Sequence, residues 1–238
     1  FLRVLLKEVA KKYGMFITFM PKPTIGDWRS GAHINFSMTR KTDNKNIFEG
    51  KDGKFSDVAY HVVGGLIKHG SSITAIACST VNSYNGLVPI VGGFEGGVYT
   101  WAPTTMAYGD NNRSCMIRLP QNRFCIENRA ADMCMNPYLS LAMTTASALD
   151  GIKNKIDPGK PLNLNLYTLS PEEMEASNIK SLPRNLLEAI EALNEDDFAR
   201  EVLGDSMLLQ FFSYKKDEWD RYHQAVTDWE VQEFLRLY

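Results

Sequence analysis

Three short segments present polar side chains at a spacing that could bring them together. HINFSM at 33–38 alternates, setting His33, Asn35 and Ser37 on one face of a strand and Ile34, Phe36 and Met38 on the other. SCMIRL at 114–119 presents Arg118, and FCIENRA at 124–130 presents Cys125, Glu127 and Arg129 on a single face. If the three strands are neighbours, one imidazole, one carboxylate and several guanidiniums share a surface, a combination that suits a divalent cation and a phosphorylated substrate. Arg113, just before the second strand, adds another phosphate-facing cation. Phosphoryl transfer needs cations placed around the migrating group, which is the equipment these residues offer. Taken one at a time, the same residues read more simply as solvated strand faces and a hydrogen-bonded structural histidine. No HExxH or GxxxxGK[ST] spacing occurs, so periodicity alone selects no reaction.

The elements that must hold these groups follow from patterning. Residues 1–13 carry Leu2, Leu5, Leu6 and Val9 on one helical face. MFITFM at 15–20 reads as a buried strand before the turn from Pro21 to Pro23. The polar stretch from Arg40 to Lys54 reads as a surface turn, and Ser56 as the N-cap of a long helix reaching about Ala77. LVPIVGGFEGGVYTW, at 87–101, is rich in glycine and suits a closely approached loop. From Asn136 the pattern turns helical: a helix over about 137–155, the loop IDPGKPLN, short helices near 171–176, 184–193 and 195–203, and a long helix over about 207–237 with Trp219, Tyr222, Trp229 and Phe234 among apolar neighbours. The chemistry-bearing groups therefore concentrate in residues 21–138.

Composition bounds the class. A chain of 238 residues with 44% hydrophobic residues can bury a substantial core. The formal charge of −2, with basic residues scattered, argues against nucleic acid or anionic membrane as a partner. Cys78, Cys115, Cys125 and Cys134 have no CxxC spacing and read as reduced thiols of a cytoplasmic protein. No run approaches the roughly 20 apolar residues of a membrane span. The opening helix lacks a signal-peptide cleavage site and reads as a helix entered partway along.

FMPKPTIGDWRSGAHINFSM resembles the glutamine synthetase family segment in which MPKP precedes a Gly-Ser-Gly turn and a metal-binding histidine. TVNSYNGLVP resembles that family's NSYKRLVP, NNRSCMIRLP its NRSxxIRxP strand, and IENRAADMCMNPYLSLA with ALDGIKNKIDPGKPLNLNLY its E-x-R, NPYL, GLDGIKNKI and NLY run. Four motifs in order cover essentially the whole chain. The resemblance implies an α+β fold, a catalytic domain whose antiparallel strands form a half-barrel flanked by helices. It also implies ATP and two divalent cations, Mg2+ or Mn2+, and a γ-glutamyl phosphate intermediate attacked by a nitrogen nucleophile. On matching positions, His33 and Glu127 are metal ligands, and Asn35 and Ser37 lie by the nucleotide. Arg113 and Arg118 hold ATP phosphates, and Arg129 contacts the transferring phosphoryl group and glutamate. The resemblance places the half-barrel portion at 1–138 and its helical C-terminal portion at 139–238. It puts a β-grasp domain, and further carboxylate ligands, upstream of Phe1, and implies a homo-oligomeric ring, such as a dodecamer, with sites between subunits. The chain alone is then expected to be inactive.

Departures from the family pattern bear on the substrate. Gly86 stands where members carry an arginine for the amino-acid carboxylate. Trp28 and Arg29 replace Asn-Gly, adding an aromatic surface and a relocated cation beside the amino-acid pocket. The glutamate of the flap that shapes an ammonium pocket has no clear counterpart unless Glu95 substitutes. Asn35 replaces the second histidine of His-x-His, and Cys125 an arginine that Arg123 could replace. Loss of an acidic ammonium site argues for a primary amine as nitrogen donor, in the manner of the γ-glutamylmethylamide and γ-glutamylanilide synthetases. Glutamine synthetase proper, using ammonia, and a silent homologue are the competing readings. Tyr167, in NLYTLSPEE, resembles a loop whose tyrosine is adenylylated in some members, and reads more simply as an ordinary loop tyrosine.

Overall fold

The computed structural model describes residues 1–24, 29–87, 102–176 and 179–237. Helix α1 (Leu2–Lys12) comes first in the chain and β1 (Ile34–Phe36) is the next element. Ser56 then caps α2 (Asp57–Lys68), its Oγ accepting from the Ala59 amide at 3.2 Å. α3 (Gly70–Ala77) follows, and the strands β2 (Thr105–Asp110), β3 (Cys115–Leu119) and β4 (Ile126–Asn128) complete the sheet. Asn136 caps α4 (Pro137–Asn154) with Pro137 at the first helical position, where its missing N–H costs nothing. The α-helices that follow among the described residues are α5 (Pro171–Ala176), α6 (Leu186–Glu195), α7 (Asp197–Leu203), α8 (Asp205–His223) and α9 (Asp228–Phe234).

The four strands lie in the order β1-β4-β3-β2. The pairs β1–β4 and β4–β3 are antiparallel, as the sequence leads one to expect, while the outer pair β2–β3 is parallel, so the sheet is mixed. Core side chains including Leu66, Ile73, Met116, Ile117, Ile126, Met143 and Ile190 fill the space between the sheet and helices α2, α3, α4 and α6. α2 and α4 cross at their backbones. A Cβ on Gly65 would stand 2.1 Å from the Ser147 carbonyl oxygen, and one on Gly151 2.1 Å from that of His61. Only glycine permits this approach.

Three expectations from the sequence need correction. MFITFM is not a buried strand: among the described residues it has no strand partner, and Phe16 is 89% exposed. Apolar content marks a segment that can be buried, but a strand also needs a neighbouring edge. The helix expected from Ser56 to Ala77 is two helices broken at His69, whose buried imidazole is drawn between carboxylates on other elements. The long C-terminal helix is likewise two. A capping box, Thr227 with Glu230, restarts it as α9. β2 was not foreseen at all.

Candidate functional site

Register builds the site. Asn35 and Arg118 both pair with Glu127, one from each side, so the three occupy one row across β1, β4 and β3. Alternation puts His33 and Arg129 on the same face one step along. Strand geometry thus delivers what the spacing of the three segments offered.

At the centre is the carboxylate of Glu127, in a residue only 3% exposed. Its Oε1 takes the His33 ring through Nδ1 at 2.8 Å and Nη1 of Arg129 at 2.9 Å, and its Oε2 accepts from Nη1 of Arg118 at 2.7 Å. Burial alone would push the Glu127 carboxyl up. The hydrogen bonds from His33 and Arg118, with the charges of Arg129 and Arg118, overcome that and hold it at about 2. Burial works against the cation at Arg129, which is 4% exposed, and draws its guanidinium below its ordinary value despite the Glu127 partner. Two guanidiniums on one carboxylate leave a net positive cluster, the sign that attracts phosphate.

The surrounding residues orient these groups. Arg118 donates through Nε to Asn111 Oδ1 at 3.1 Å, and a second bond to the same oxygen comes from Nη2. Asn111 has φ 56°, a turn conformation that asparagine tolerates. Sequence reasoning did not single out Asn111, although the Asn111-Asn112 pair before Arg113 is a turn signal. Arg129 Nε donates to the Arg113 carbonyl at 3.2 Å, while Arg113 itself is exposed at the rim. Asn35 does not join the Glu127 cluster. Its Oδ1 accepts from Arg123 Nη2 at 3.0 Å, and Arg123 Nε approaches Cys125 Sγ at 3.1 Å, so Arg123 reaches the place that the sequence suggested for it. Ser37 is exposed at the far end of the same strand face.

The donor chemistry fits a divalent cation in part. His33 Nδ1 and Glu127 Oε1 are separated by 2.8 Å. Neighbouring ligands around an octahedral ion with bonds of about 2.1 Å are about 3 Å apart, so the pair forms one edge of such a shell. Among the described residues no group of three or more His, Cys, Asp or Glu could hold a metal ion. The remaining positions of a six-ligand shell would fall to water, phosphate oxygens or other groups, as is usual for Mg2+.

Arg29 is not open to solvent as a pocket cation would be: its side chain is 8% exposed and lies 3.6 Å from Asp132. Trp28, Glu95 and nearly all of the glycine-rich stretch at 87–101 lie outside the described residues. Tyr167 donates its hydroxyl to the Ala102 carbonyl at 2.6 Å, which fits a loop tyrosine with a structural bond. Burial raises the thiols of Cys78 and Cys115 to about 12, so neither is a nucleophile at neutral pH. No described helix is long and apolar enough to cross a membrane.

Comparison with known proteins places this geometry in context. The family model described as "Glutamine synthetase, catalytic domain" matches residues 1–234. The chain is 41% identical over 235 residues to a glutamate–methylamine ligase of Methyloversatilis universalis, covering 97% of this chain and 51% of that protein. It is 39% identical over 240 residues to a glutamine synthetase of Methanosarcina mazei, covering 99% and 51% respectively. Among solved structures, GmaS in complex with ADP superposes with a TM-score of 0.84 at 35% identity, covering 98% of this chain and 52% of that one. GmaS without ligand gives a TM-score of 0.82 at 35% identity, covering 98% and 51%. The chain thus spans about half the length of the relatives it matches.

Proposed function

Since this chain belongs to the glutamine synthetase family through its catalytic domain, we propose that it carries the phosphate-handling site of an ATP-dependent ligase joining the γ-carboxyl of glutamate to a primary amine. The observation that carries the reading is the buried Glu127 carboxylate, which holds His33, Arg118 and Arg129 together in a net positive cluster.

In this reading a γ-carboxylate oxygen of glutamate attacks the γ-phosphorus of ATP, and the bond to the β-phosphate oxygen breaks to release ADP. The amine nitrogen then attacks the acyl carbon, the C–O bond breaks to release inorganic phosphate, and the nitrogen gives up a proton. Arg118 and Arg129 are fixed before substrate arrives, so their charge stabilises the migrating phosphoryl group without reorganisation. Arg113 at the rim is placed to draw in the nucleotide. His33 Nδ1 and Glu127 would hold Mg2+ or Mn2+, which supplies charge neutralisation on phosphate oxygens when bound.

Similarity to a glutamate–methylamine ligase at 41% identity supports an organic amine as donor. Similarity to a glutamine synthetase at 39% identity supports ammonia as the second reading. Phosphate release by the full-length protein, with glutamate, ATP and a panel of amines beside ammonia, separates the two. A primary amine giving the highest kcat/KM is the expected result, and ammonia outperforming every amine would reverse the assignment. A ring-shaped homo-oligomer belongs to the same proposal, and light scattering on the full-length protein should return a mass of several subunits.

A further inference from the structure

The turn between β2 and β3 is built from asparagines and is anchored away from the Glu127 cluster. Asp110 donates its amide to Asn163 Oδ1 at 2.8 Å, and Asn163 Nδ2 donates back to Asp110 Oδ2 at 3.0 Å. Asn112 Nδ2 donates to the Leu162 and Leu164 carbonyls at 2.6 and 2.8 Å, while its Oδ1 accepts from the Ser114 amide and hydroxyl. Between these anchors Asn111 is exposed and stands at φ 56°, its amide bonded to the Leu119 carbonyl at 2.8 Å. A residue with a side chain enters this left-handed region at a cost, which is least for asparagine and aspartate. Burial does not account for Asn111. Among the described residues, the hydrogen bonds of its side chain all go to Arg118, from Nε at 3.1 Å and from Nη2.

The grip decides what Arg118 keeps for a ligand. Asn111 occupies Nε and one N–H of Nη2, and Glu127 takes one N–H of Nη1 at 2.7 Å, so each terminal nitrogen retains an N–H. Held from two sides, the guanidinium is fixed before a ligand arrives. Arg118 is also the more open of the two cations, its side chain 16% exposed against 4% for Arg129. Both acceptors that the turn offers to the cluster are neutral: Asn111 Oδ1 for Arg118, and the Arg113 carbonyl for Arg129 Nε at 3.2 Å. Aspartate at 111 would tolerate the same φ and bond Arg118 more strongly. It would also cancel the charge by which the cluster attracts phosphate.

We propose that Asn111 is a positioning residue for nucleotide phosphate, its neutral amide fixing the guanidinium of Arg118 without neutralising it. The proposal rests on the phosphate-handling reading of the cluster, and adds to it a reason for an amide, and not a carboxylate, at position 111.

The test is calorimetric binding of MgATP, without glutamate, to the full-length protein carrying this chain, with the melting temperature of each variant measured alongside. Asn111→Asp should melt at or above the wild-type temperature yet bind MgATP about tenfold more weakly, the scale of one charge-assisted bond. Asn111→Gly suits φ 56° and removes only the grip, so it should melt close to the wild type and bind MgATP about three- to tenfold more weakly. In turnover, each should lower kcat about tenfold or more while KM for glutamate stays within about twofold. An asparagine needed only for the fold would give affinity that follows stability. MgATP affinity unchanged in either variant overturns the proposal, and so does affinity lost only in step with melting temperature. Arg118→Gln tests the underlying reading. If it weakens MgATP while Asn111→Asp does not, the positioning role alone falls. If Arg118→Gln binds MgATP like the wild type, or the wild type binds none, the phosphate-handling reading falls and the role of Asn111 with it.

Discussion

Glu127 is the residue on which the site depends, because one buried carboxylate compensates two guanidiniums and positions an imidazole. Glu127→Ala would leave Arg118 and Arg129 without their counter-ion, and should cost about 3–5 kcal/mol of stability, measured by urea unfolding. The pH dependence has a definite sign. The folded-state value of about 2 lies below the ordinary 4.5, so the stabilisation is complete above about pH 4.5 and fades as pH falls toward 2. Glu127→Gln should therefore flatten the acid limb of stability against pH, and an acid limb unchanged in that variant would contradict the assignment. Arg118→Gln should lower kcat by about a hundredfold or more, in the range seen for loss of one preorganised charge-stabilising donor. At this scale part was legible: alternation set His33 on one face of its strand and Glu127 with Arg129 on one face of theirs, and the strand order β1-β4-β3 then brings them together with Arg118. It could not show that Asn35 turns to Arg123, or that Asn111 grips Arg118, because both depend on side-chain directions beyond the strand period.

Elements hold the site through contacts that leave no room for a methyl group. Gly65→Ala and Gly151→Ala would each drive a Cβ to 2.1 Å from a carbonyl oxygen on the facing helix, so α2 and α4 must part. Each should destabilise by about 3 kcal/mol or more, visible as a fall in melting temperature. His69 joins the helices differently. Its Nε2 meets Asp150 on α4 at 2.9 Å, its ring stacks 3.8 Å from Phe198 on α7, and Nδ1 lies 3.7 Å from Asp196. His69→Ala should lower the melting temperature, and the loss should shrink when Asp150→Asn is added, as expected for groups that share one network. The sequence marked helix starts well where a cap sits beside a periodic run, as at Ser56 and Asn136. It concealed the break at His69, because nothing local signals a histidine drawn to partners more than 80 residues away. The Thr227–Glu230 capping box was a local signal for the break before α9, but the apolar periodicity on either side of it reads as one continuous helix. β2 was missed because its residues are buried on both sides without polar alternation.

For the molecule as a whole, the mixed sheet packs against its helices and gathers Arg118 and Arg129 around Glu127. Activity of the full-length protein should require a divalent cation. Chelation should abolish phosphate release, and Mg2+ or Mn2+ should restore it. The motifs made the family legible across the chain, since MPKP, NSY, NRS and NPYL are local strings that survive without a three-dimensional frame. The nitrogen donor was less legible, because the pocket that selects it is shaped by segments that carry no spacing rule. The central claim, that glutamate is activated by phosphorylation of its γ-carboxyl, has a direct measurement. Full-length protein supplied with ATP, methylamine and glutamate labelled with oxygen-18 in the γ-carboxylate should release phosphate carrying one labelled oxygen per turnover. Unlabelled phosphate, formed at the same rate as the amide, would contradict it.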